Sequence, residues 1–103
     1  METNLRTISW IFLSIALASE SSPADSREIS EIADGINHAV PSYDEIHDSI
    51  SWLIKRNLIL KIETTYSLSD LGHNIFRDTQ AKTSKIILNI WQNLELELQK
   101  YNV

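Results

Sequence analysis

Carboxylates are the groups in this chain whose number and spacing could do chemistry. Eight of the fourteen lie between positions 20 and 48: Glu20, Asp25, Glu28, Glu31, Asp34, Asp44, Glu45 and Asp48. Only Arg27 opposes them there, so the stretch carries a net −7. Pairs such as Glu28/Glu31 have the form that general acid–base catalysis takes in a cleft. The three histidines are His38, His47 and His73. His38 and His47 flank one turn, and with Asp34 or Asp44 they would make a surface metal site. Their spacing across that turn is no known ligand pattern. There is no Gly-rich phosphate loop, no Gly-x-Ser-x-Gly elbow and no His-Glu-x-x-His. The chain has no cysteine. That removes a thiol nucleophile, a cysteine zinc site and a disulfide framework, and it suits a reducing cytoplasm. A small helical domain offers little cleft, so the expectation is no enzyme, no metal and no cofactor.

The elements that position these groups must come from 103 residues, enough for one domain and one core. Hydrophobic residues make up 43% and charged residues 22%, the balance of a soluble globule. Two glycines and two prolines are too few for a sandwich of many tight turns. The net charge of −5 is a poor start for a nucleic-acid binder. Residues 49–103 hold seven bases and five acids, so an acidic front half meets a mildly basic back half. Such a field attracts basic partners and repels phosphate, although it also serves solubility alone.

Residues 8–18 read ISWIFLSIALA. With Arg6 ahead and Ala16-Leu17-Ala18 behind, the run imitates a secretion signal. Glu2 beside Arg6 speaks against that, and the run is too short to span a bilayer. Ile8, Ile11, Phe12 and Ile15 follow the i, i+3, i+4, i+7 rule of a core helix, widened by Trp10, Leu13 and Leu17. A second helix carries Ile29, Ile32, Ala33 and Ile36, with Ser22 ahead of Pro23, or else Ser26, as its cap. Gly35 weakens its end, and Asn37-His38 leads out to Pro41. Ser42 and Glu45 form a capping box for a third helix over 42–56, with Ile46, Ile50, Leu53 and Ile54 as its buried stripe. Lys55 and Arg56 suit its last turn, and Asn57 its exit. The period then changes to 2. Leu58, Leu60 and Ile62, then Tyr66 and Leu68, predict a hairpin with Glu63-Thr64-Thr65 between the strands. Ser69 caps a short helix with Leu71, Ile75 and Phe76. A long helix over 83–101 follows, lined by Ile87, Ile90, Trp91, Leu94 and Leu98. The expected fold is mainly α with a small β-hairpin.

Three stretches carry a family resemblance: Glu28-Ile29-Ser30-Glu31-Ile32-Ala33, then Tyr43-Asp44-Glu45-Ile46 leading into 51–59, then Tyr66-Ser67-Leu68-Ser69-Asp70-Leu71-Gly72. Over residues 8–78 they resemble the winged helix-turn-helix superfamily, especially PadR- and MarR-type bacterial domains. The last stretch is similar to the Tyr-x-Leu-Thr-x-x-Gly ending of many wings, with Ser69 where Thr is usual. The stretch 33–41 is also similar to small bacterial winged-helix proteins of unassigned role. The resemblance implies a three-helix core with a wing, a long C-terminal helix, and DNA-binding transcriptional control.

The departure from that pattern lies on helix 42–56, the would-be recognition helix. Its outward side shows Asp44, Glu45, Asp48, Ser51, Trp52 and Lys55. DNA readers place Arg, Lys, Asn or Gln there, and carboxylates in a groove repel phosphates. Function belongs to the site rather than the fold. One expectation is therefore a non-enzymatic, cytoplasmic module that docks a basic protein. Its most concrete form is an immunity or antitoxin-like inhibitor covering a nuclease-type toxin. Asp44, Glu45, Asp48 and Trp52 would carry it, supported by Asp25, Glu28, Glu31 and Asp34. Trp52 either packs under the wing or stands exposed as an anchor. The alternative is a DNA-binding regulator using Tyr43, Ser51, Lys55, Arg56 and Lys61. Leu88 and Leu96 leave the main stripe of the last helix, so they either cover the domain or face a second copy in a homodimer.

Overall fold

The structure is a computed structural model and describes residues 4–102; Glu2 lies outside them. Helix α1 (Leu5–Ala18) starts at Asn4, whose side chain accepts from the Thr7 N–H. Every residue from Ile8 to Ala16 is buried, two serines included. The Ser9 and Ser14 hydroxyls donate to the carbonyls of Arg6 and Trp10. That local pairing lets a helix be buried all round without orphaned polar groups. The signal-like run is thus the central core helix of the folded chain. Helix α2 (Ser26–Asn37), helix α3 (Tyr43–Lys55) and helix α5 (Ile87–Leu98) pack around it. No described helix is long and apolar enough to cross a membrane.

Two tryptophans fasten this arrangement. Trp10 donates from Nε1 to the Ala33 carbonyl of α2 at 2.9 Å. Trp91 of α5 donates to the Arg6 carbonyl at 3.0 Å and to Ser9 Oγ at 3.1 Å. The two rings lie 6.1 Å apart, and the Arg6 guanidinium covers the Trp91 ring at 4.0 Å. Both belong to the core, as their stripes predict.

The sheet has three antiparallel strands, β1 (Ala24–Asp25), β2 (Ile59–Ile62) and β3 (Thr65–Leu68), in the order β1-β3-β2. The hairpin turns at Glu63-Thr64, with Glu63 at φ 58°, and Thr65 belongs to β3 rather than to the turn. The two-residue β1 has no periodicity to announce it. It exists because Ala24 and Asp25 pair with Tyr66 and Thr65. The cap of α2 is accordingly Asp25, not Ser22 or Ser26. Its carboxylate accepts from the Glu28 N–H while the Glu28 carboxylate accepts from the Asp25 N–H. Ser42 and Glu45 do the same for α3, as expected. His38 closes α2 in the left-handed conformation, and Asn57 takes that conformation after α3.

The ending Tyr66-Ser67-Leu68-Ser69-Asp70-Leu71-Gly72 acts as a lock between elements. Helix α4 (Asp70–Lys82) is capped by Ser69, whose Oγ accepts from the Gly72 N–H and donates to the Asn57 carbonyl. Ser69 N–H donates to the Leu58 carbonyl. Gly72 lets the first turn of α4 lie directly on that same carbonyl, because a Cβ there would collide with it. The helix is a full thirteen residues rather than short, and Leu71 is partly exposed. The expected helix over 83–101 is shorter than predicted: α5 gives way to a 3-10 turn over Gln99–Tyr101. Ile54, expected in the stripe of α3, is 36% exposed.

Gly35 has the opposite surroundings to Gly72. It is exposed within α2, and nothing lies within 4 Å of a Cβ placed there. Gly35→Ala is expected to stabilise the domain by about 0.5–1 kcal/mol, since alanine keeps helical geometry and reduces the freedom of the unfolded chain. A urea melt checks this, and a lower midpoint would refute it.

Candidate functional site

Helix α3 packs on α1 through Ser49, Ile50 and Leu53. At 100° per residue, that leaves three rows on its outer side. Tyr43 and His47 form one flank. Asp44, Asp48, Ser51 and Lys55 form the middle. Glu45, Trp52 and Arg56 form the flank next to α1. A groove of about 530 Å³ runs along this last flank, closed on the other side by Asn4, Thr7 and Ile8 of α1.

The middle row is anionic and unspent. Asp44 and Asp48 are exposed and form no salt bridge among the described residues. They line the groove together with Glu45 and Trp52. Glu45 is half-buried, and its carboxylate accepts the Ser42 N–H at 2.8 Å. Trp52 is not an open anchor. It is half-buried beside α1, and the Arg56 guanidinium covers its ring at 3.9 Å. Arg56 Nε in turn donates to the Tyr101 carbonyl at 2.7 Å, and its Nη1 to the Trp52 carbonyl at 3.2 Å. That arginine ties the C-terminal turn to α3 and is not a free cation.

The four supporting carboxylates of 25–34 do not line this groove. Asp25 and Glu28 are joined in the capping box, and Glu31 pairs with Arg27 at 3.3 Å. Asp34 is exposed on α2. Of the residues expected for DNA contact, Ser51, Lys55 and Arg56 line the groove, while Tyr43 and Lys61 stand exposed outside it. Among the described residues no three histidine or carboxylate groups gather as metal ligands. His47 has another neighbour: its ring stacks on Tyr43, with centroids 5.6 Å apart and planes 6° apart. The i, i+4 spacing of these two residues could have shown that pair in the sequence. On α5, Leu88 and Leu96 are both more than half exposed.

Compared with models of protein families, with curated proteins and with solved structures, the chain matches none.

Proposed function

We propose that this chain is a winged-helix domain whose α3 face binds protein instead of DNA, as a non-enzymatic inhibitor that neutralises a basic, nuclease-type toxin in the cytoplasm in the manner of an immunity protein or antitoxin. One observation carries the reading: the outermost row of α3 presents Asp44 and Asp48 exposed and, among the described residues, without ion pairs, beside a groove. Nucleases have cationic clefts. An anionic face of fitting shape speeds association with such a cleft and masks it. Of the two bases that line the groove, Arg56 is held by Trp52 and the Tyr101 carbonyl, which leaves Lys55 to offset the two aspartates.

The order helix, strand, helix, helix, hairpin, with sheet order β1-β3-β2, supports the winged-helix part of the proposal. That order also favours the second reading, a DNA-binding regulator, with Tyr43, Ser51, Lys55 and Lys61 toward the duplex and Leu88 and Leu96 joining two copies. A fluorescence titration of mixed-sequence duplex DNA at low salt separates the two. The expected result is no binding. An affinity that falls tenfold or more between low and physiological salt would replace the inhibitor with the regulator.

A further inference from the structure

The proposed docking face has a feature that selects among cations. Tyr43 is 79% exposed, yet its ring is held parallel to that of His47 by their stack one helical turn apart. Asp44 and Asp48 follow these two residues directly in sequence, so the two rows run side by side along α3. His47 thus covers one face of the Tyr43 ring and leaves the rest of it to solvent, beside two carboxylates that form no salt bridge among the described residues. The Trp52 ring is not available in this way, because the chain's own Arg56 covers it.

Resting on the docking reading above, we propose that this surface is an arginine-binding site: a partner guanidinium lies on the Tyr43 ring while its N–H fork donates to Asp44 or Asp48. Charge complementarity calls for a cation. The flat ring specifies which one. A guanidinium is planar, weakly hydrated and able to stack and donate at once, whereas an ammonium is a hydrated point charge that gains little from the ring face. The chain uses the same contact internally, with Arg6 over Trp91 at 4.0 Å and Arg56 over Trp52 at 3.9 Å. The partner is thus a protein that presents arginine, not merely positive charge.

The test titrates the full chain with a short arginine peptide and with a lysine peptide of equal length and charge. The arginine peptide is expected to bind about two- to fivefold more tightly for each residue that stacks. Tyr43→Ala abolishes that preference by weakening the arginine peptide more than the lysine peptide, while Tyr43→Phe keeps it. Asp44→Asn with Asp48→Asn weakens both peptides. Tyr43 contributes no core packing, so these variants stay folded, as circular dichroism would check. Equal affinities for the two peptides in the parent chain, or a preference that survives Tyr43→Ala, overturn the arginine site and leave the docking face standing. Binding of neither peptide overturns both.

Discussion

Gly72→Ala should cost the domain at least about 3 kcal/mol, and a larger side chain there should prevent folding. Overpacking a core typically costs about 1–3 kcal/mol because flexible neighbours yield. At Gly72 the obstacle is the backbone carbonyl of Leu58, which cannot rotate out of the way. That carbonyl also accepts the Ser69 N–H. Moving it disturbs the Ser69 hydroxyl, which holds both the Gly72 N–H and the Asn57 carbonyl. One methyl group therefore works against the cap of α4, the exit from α3 and the start of β2 together. A domain of this size has only about 5–15 kcal/mol in hand. At about 4–8 °C per kcal/mol, the melting temperature should fall by more than about 12 °C. Thermal and urea melts of Gly72→Ala beside Gly35→Ala make the test sharp, because the same substitution should have opposite signs at the two glycines. A Gly72→Ala midpoint within about 1 kcal/mol of the parent would show that the crossing of α4 over Leu58 is looser than described.

Trp10→Ala is the second large effect, expected at about 3–5 kcal/mol. Trp10 is 4% exposed and sits where α1, α2 and α5 meet. Truncation leaves a cavity against Trp91 and removes the indole donor from the Ala33 carbonyl. Trp10→Phe separates these contributions. It keeps much of the ring contact but loses the indole donor, at a cost of about 0.5–1.5 kcal/mol for the hydrogen bond, because the Ala33 carbonyl lies within α2 and keeps its helical partner. Urea denaturation should rank the parent above Trp10→Phe and Trp10→Phe above Trp10→Ala. Equal loss in the two variants would mean that the hydrogen bond, and not the packing, holds α2 on α1.

Much of the helical framework was legible because its signals are local. The Ile8/Ile11/Phe12/Ile15 stripe, the Ser42–Glu45 box and the exit at Asn57 each depend on residues within one or two turns. The Asp25–Glu28 box obeys the same rule, but Ser22 ahead of Pro23, and Ser26, compete with it as caps in the sequence. The candidate face was legible in part. Its acidity follows from spacing on α3, since Asp44 and Asp48 must point away from Ile50 and Leu53. The role of Trp52 was not legible, because it depends on Arg56 and on Tyr101, which lies 45 residues beyond Arg56.

By itself the sequence determined the main helical stripes, the caps of α3 and α4, the hairpin and the sign of the charge on α3, all of which are set by interactions close along the chain. Tertiary structure alone decided the pairing of Ala24 and Asp25 with β3, the covering of Trp52 by Arg56, and the groove between α3 and the first turn of α1. It also decided that Gly72 has no room while Gly35 has plenty. These features join segments distant in the chain, and such contacts leave no periodicity in either segment alone.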